Sequence, residues 1–242
     1  MSADQATATA LRGDVRAVLF DLDGTLLDTA PDLARALNAL RGEQQLPPLA
    51  FAAIRPQVSH GATAVVRAGF PDAGEAQFEP LRARFLELYR AGLAIETRLF
   101  AGFDEVLSQL EGHRIPWGVV TNKPAWLTVP LMQALGLYQR AGCVLCGDSL
   151  PVRKPDPLPL LTAAAQLKVE PARCLYLGDA LRDVQAARAA NMVALGASFG
   201  YIGAQDDVAA WPVTAWIDEP LELLAWVGVT RSAAQLAPRA GA

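Results

Sequence analysis

The chain has 242 residues, a formal net charge of −4 and a hydrophobic content of 52%. That is enough apolar material for one buried core with a smaller insertion, and the acidic balance offers no broad basic surface to a nucleic-acid backbone. Residues 1–14 lack the basic start and apolar centre of a secretion signal, and no apolar run approaches the length of a membrane span. A cytoplasmic protein without membrane or nucleic-acid partners is therefore expected.

Residues 15–20 are mostly apolar and suit a fully buried strand, which ends at the loop beginning Asp21-Leu22-Asp23-Gly24-Thr25. Short apolar runs recur at 116–120, 143–145, 174–177 and 192–195, separated by helical stretches such as 103–111 and 158–167. This alternation predicts an α/β fold, a Rossmann-like parallel sheet with helices on both faces. The first two runs are separated by residues 30–98, rich in Ala, Leu and Arg and opened by Pro31, which suits a first helical turn. Such a segment is too long for a simple crossover and predicts an inserted all-helical cap at 30–98, with the core at 14–29 and 99–228. Residues 1–13 and 231–242 are expected to be flexible termini. Cys143 and Cys146 form one C-x-x-C pair, but neither a second pair nor a nearby histidine accompanies it, so these and Cys174 are expected to be core cysteines.

Four carboxylates fall just past two of the strand runs: Asp21 and Asp23, then Asp179 and Asp183. In an open parallel sheet, ligands bind beyond the carboxyl ends of the strands, so neighbouring strands would bring the four together. Two carboxylates about 4 Å apart repel by roughly 4 kcal/mol at an effective dielectric of 20, so such a cluster calls for a cation or a proton. An all-oxygen site suits Mg²⁺ better than zinc, which prefers histidine or cysteine. Each pair also has a plainer reading. Asp23-Gly24 between apolar runs is a hairpin signal, and Asp179 suits a helix N-cap with Asp183 in or near the first turn. Neither explains both pairs at strand ends together with Thr121 at another strand end, Lys154 before a proline, and a helical insertion.

The ordered motifs Asp21-Leu22-Asp23-Gly24-Thr25, Thr121-Asn122, Lys154-Pro155 and Gly178-Asp179-Ala180-Leu181-Arg182-Asp183 resemble the four motifs of haloacid dehalogenase-type phosphatases. The resemblance implies a phosphoric monoester hydrolase with Asp21 as nucleophile and Asp23 as acid and base. It further implies Mg²⁺ held by Asp21, the Asp23 main-chain carbonyl, Asp179 and, directly or through water, Asp183. Thr121 and Lys154 would bind phosphate oxygens, and Asn122 would touch the substrate. An aspartate at position 23 argues against a dehalogenase or an ion pump. A phosphonate hydrolase of this family needs a cap lysine, and the only lysines here are Lys123, Lys154 and Lys168.

Specificity is expected from the cap, whose polar candidates are Arg55, Ser59, His60, Gly61 and Arg67. His60-Gly61 suits a loop facing the core, and Arg55 or Arg67 suits a substrate carboxylate; a solvated arginine and an ordinary loop histidine are the alternatives. At whole-chain level the sequence is similar to the phosphoglycolate phosphatase group, and within it to the branch acting on N-acetylmuramic acid 6-phosphate. Leu99-Phe100-Ala101-Gly102-Phe103, residues 117–124 and Gly200-Tyr201-Ile202 carry that similarity. The implied substrate is a small phosphorylated metabolite: N-acetylmuramic acid 6-phosphate in cell-wall recycling, with 2-phosphoglycolate as the alternative and an inactive phosphate-binding protein as the remote one. Both a monomer and a homodimer are compatible with the sequence.

Overall fold

The computed structural model describes residues 13–229. The expected flexible termini lie outside the described residues, apart from Gly13. The first apolar run forms β1 (Ala17–Phe20), every residue of which is buried. Beyond the Asp21–Thr25 turn, β2 (Leu27–Asp28) leads into the insertion: α1 (Ala30–Glu43), α2 (Phe51–Ile54), a 3-10 turn (Arg55–His60), α3 (Gly61–Gly69) and α4 (Glu75–Arg90). The chain returns through β3 (Arg98–Leu99), which pairs antiparallel with β2. The Asp-Gly turn therefore does not make the hairpin that its composition allows, because β1 pairs with other strands.

Leu33, Leu37 and Leu40 recur at helical spacing along α1 and are buried with Phe78, Phe85 and Tyr89 of α4. Where the chain leaves and re-enters the core, Asp32 is wholly buried and accepts hydrogen bonds from the Glu96 and Thr97 amides, the Thr97 hydroxyl and Arg35. Burial alone would raise its pKa, but these donors together hold it below the ordinary carboxylate value. The two connecting strands are thereby tied at one point.

The remaining elements alternate: α5 (Phe103–Gly112), β4 (Trp117–Val120), α6 (Ala125–Ala134), β5 (Cys143–Leu145), α7 (Leu158–Leu167), β6 (Cys174–Gly178), α8 (Leu181–Ala189), β7 (Val193–Ala197), β8 (Ala215–Ile217) and α9 (Leu223–Trp226). The sheet runs β5-β4-β1-β6-β7-β8, with every neighbouring pair parallel. Period-two alternation splits β1 between the faces. Val18 and Phe20 pack with α5 and α6, whereas Ala17 and Leu19 pack with Leu160 and Ala163 of α7 and Val184 and Ala187 of α8. Phe20 meets Phe103 edge-on with ring centroids 5.5 Å apart, a geometry that contributes about 1 kcal/mol beyond the area buried. The sheet order places β1 directly between β4 and β6. The chain positions past their ends, 21, 121 and 179, therefore share one rim.

Candidate active site

Asp21 leaves β1 with its amide donating to Leu177 O of β6 at 2.9 Å, which continues the sheet ladder and fixes the direction of its side chain. Its carboxylate lies 2.8 Å from Lys154 Nζ, and Lys154 lies equally close to Asp183 Oδ1. The exposures of the three side chains, 4%, 1% and 0%, mean that these charges depend on one another rather than on solvent. Lys154 Nζ also donates to Tyr176 Oη at 2.6 Å, and Tyr176 in turn donates to Val120 O. The ammonium is thus fixed from three sides.

The helix-cap reading holds for Asp183 and not for Asp179. Asp183 Oδ2 accepts from the Ala180 amide at 3.0 Å at the start of α8. Asp179 precedes that cap, and its carboxylate accepts instead from Thr25 Oγ1, from Ser59 Oγ of the insertion and from the Tyr201 amide. Gly24 permits this approach: its φ is +80°, and a Cβ there would lie 2.2 Å from Asp179 Oδ2.

Oxygens of Asp21, Asp179 and Asp183 all lie within 4.8 Å of one another. Burial, and then the charges of Asp21 and Asp183, push the Asp179 carboxyl up to about 7. Burial likewise raises Asp183, against the pull of Lys154. Lys154 and the nearby charge of Arg182 do not fully balance three carboxylates, and a buried set of oxygen donors carrying excess negative charge fits a hard divalent cation.

Asp23 stands at the edge of this cluster. Its Oδ1 accepts from Thr29 Oγ1 at 2.6 Å and from Lys123 Nζ at 2.9 Å. Thr29 precedes α1 yet makes no side-chain cap bond, because its hydroxyl is committed to Asp23. Thr121 is buried at the end of β4, its Oγ1 accepting from the Lys123 amide, and Asn122 Nδ2 donates to Lys154 O, bracing the loop that carries the lysine.

A cavity of about 700 Å³ opens over these groups, within the range of about 300–1,000 Å³ typical of small-molecule sites. Asp21, Asp23, Thr121, Asn122 and Lys154 line it from the core, and His60 and Gly61 line it from the insertion. Arg55 and Arg67 do not. The Arg55 guanidinium donates to Phe199 O and lies over the Tyr201 ring, while Arg67 covers Phe78 and pairs with Glu75. The arginines that do reach the cavity are Arg82, Arg153 and Arg182, and with Tyr89 and Lys123 they were not singled out from the sequence. Lys123 carried no local signal, because its partners Asp23 and Tyr89 lie 100 and 34 positions away.

Comparison with known proteins identifies the family. The family described as haloacid dehalogenase-like hydrolase matches residues 15–191. A phosphoglycolate phosphatase of Xanthomonas campestris pv. campestris strain 8004 is 43% identical over 208 residues, covering 86% of this chain and 94% of its own. An N-acetylmuramic acid 6-phosphate phosphatase of Pseudomonas putida strain KT2440 is 43% identical over 210 residues, with the same coverage. Among solved structures, a predicted phosphoglycolate phosphatase of Haemophilus somnus 129PT superposes with a TM-score of 0.77 at 26% identity, covering 87% of this chain and 97% of its own. The chain belongs to the haloacid dehalogenase-like hydrolases and is a phosphatase of that family.

Proposed function

We propose that this phosphatase hydrolyses N-acetylmuramic acid 6-phosphate through an aspartyl phosphate, an acyl phosphate on Asp21, with Mg²⁺ as its cofactor. The observation that carries the catalytic part is the buried Asp21 carboxylate, held against Lys154 at 2.8 Å on the floor of the cavity. Lys154 and Thr121 bind the phosphoryl oxygens while the Asp21 carboxylate attacks phosphorus. The bond from phosphorus to the sugar oxygen breaks, and Asp23 passes its proton to that oxygen. Asp23, now a carboxylate, takes a proton from the water that attacks the aspartyl phosphate, which releases inorganic phosphate and restores Asp21. Asp21, Asp179 and Asp183, with the main-chain carbonyl of Asp23, would hold Mg²⁺, which when bound supplies positive charge to the phosphate.

The helical insertion acts in this reading as a cap that shields the site and touches the leaving group. Relatives named for either substrate are 43% identical to this chain, so the choice of substrate rests on the cavity. About 700 Å³ accommodates an amino-sugar phosphate and far exceeds what a two-carbon acid fills. Measured side by side with Mg²⁺, kcat/KM for N-acetylmuramic acid 6-phosphate is expected to exceed that for 2-phosphoglycolate by about tenfold or more, equivalent to roughly 1.4 kcal/mol of transition-state binding. The reverse preference would assign the enzyme to phosphoglycolate.

The metal is tested separately by thermal unfolding. Without metal, the folded Asp179 carboxyl stays protonated up to about 7 against 3.8 for an ordinary aspartate, so stability falls as pH rises through that window. Mg²⁺ is therefore expected to raise Tm more at pH 8 than at pH 5, where protons compete for the same carboxylates. A Tm indifferent to Mg²⁺ at both values would remove the metal from the carboxylate cluster.

A further inference from the structure

Lys123 is buried beside the cavity, its side chain only 7% exposed. Its ammonium is 2.9 Å from Asp23 Oδ1, donates to Tyr89 Oη at 2.8 Å and lies 4.5 Å from the centroid of the Tyr89 ring. Tyr89 sits on α4 of the insertion and is itself wholly buried, so the lysine joins the insertion to the core at the acid/base residue. Burying an ammonium for stability alone is a poor bargain, since a well-packed apolar side chain often serves as well. The hydrogen bonds show a more specific consequence. Lys123 and Thr29 both engage Oδ1 of Asp23, and among the described residues no hydrogen bond reaches Oδ2.

We infer that Lys123, held in turn by Tyr89, is a positioning residue that clamps Oδ1 of Asp23 and leaves Oδ2 as the oxygen that transfers the proton. This rests on the phosphoryl transfer described above: as Asp21 bonds to phosphorus and the phosphorus–alcohol bond breaks, the proton on Asp23 Oδ2 moves to the leaving oxygen. Because Tyr89 belongs to the insertion, the clamp on the proton donor is complete only when α4 is seated over the core. The pair couples closure to acid catalysis.

The test compares esters that differ in their need for a proton. p-Nitrophenyl phosphate releases a stable phenolate, whereas N-acetylmuramic acid 6-phosphate and 2-phosphoglycolate release alcohols. The value of kcat/KM reports the step in which the alcohol leaves and is blind to the later hydrolysis of the aspartyl phosphate. For whichever alkyl ester the parent turns over faster, Lys123→Met is expected to lower kcat/KM by about 100-fold, against less than about fivefold for p-nitrophenyl phosphate. Tyr89→Phe, which removes one hydroxyl, is expected to show the same bias at smaller size. It decides the question alone if Lys123→Met does not fold. Asp23→Asn sets the upper limit of the bias. A biased Asp23→Asn with equal losses on both esters in Lys123→Met and Tyr89→Phe would overturn the positioning role only. An unbiased Asp23→Asn would overturn the acid role of Asp23, and the positioning role with it.

Discussion

Asp21→Asn is expected to lower kcat by about 10⁴-fold or more, because the amide has no anionic oxygen to attack phosphorus and the remaining groups can only bind and polarise the ester. The same substitution is expected to leave the metal-free protein as stable as the parent, or more so. Asp21 shares a space of 4.8 Å with Asp179 and Asp183, and its charge raises the carboxyls of both. An amide of the same shape removes that repulsion, while Lys154 keeps its contact with Asp183. Loss of turnover with an unchanged or higher Tm separates removal of a nucleophile from damage to the fold. Loss of both together would contradict the charge arrangement described here.

Lys154→Met fails in the opposite way. The ammonium touches Asp21 and Asp183 at 2.8 Å and is 1% exposed, so an apolar chain of similar length leaves two buried carboxylates facing each other without it. Breaking a buried pair by removing one partner typically costs about 3–5 kcal/mol. Urea unfolding without metal is expected to show a loss of that size, and added Mg²⁺ is expected to recover part of it by replacing the missing positive charge. Turnover is not expected to return, since in the proposed mechanism Lys154 also binds the phosphoryl oxygens. A stability loss under about 1 kcal/mol would mean that the cluster is solvated rather than buried.

The core of this protein was legible because fully buried parallel strands are written as short apolar runs, and ligand sites lie past their carboxyl ends. That logic puts Asp21, Thr121 and Asp179 at strand ends that share one rim if the strands are neighbours, and β1 does lie between β4 and β6. Strand β8 escaped notice because Ala215 and Trp216 are only half-buried at the sheet edge, so three residues produce no apolar run. The ring of partners around the carboxylates was harder still. Tyr89 meets Lys123 across 34 positions, Ser59 meets Asp179 across 120, and no local pattern encodes either meeting. The insertion misled most through its charge. Arg55 and Arg67 looked available for a substrate, yet each guanidinium covers an aromatic ring and donates to a backbone carbonyl, and Arg82 is the insertion's arginine at the cavity. An arginine's composition and position say that it has a charge to spend, and only packing says where it is spent.

The central claim, covalent catalysis by Asp21, is tested most directly by acid-quenching the enzyme within its first turnovers on p-nitrophenyl phosphate with Mg²⁺ and locating the bound phosphoryl group by peptide mass spectrometry. A phosphoryl group on the peptide bearing Asp21, absent from Asp21→Asn, is the predicted result. A phosphoryl group on another residue, or undiminished turnover in Asp21→Asn, would contradict it.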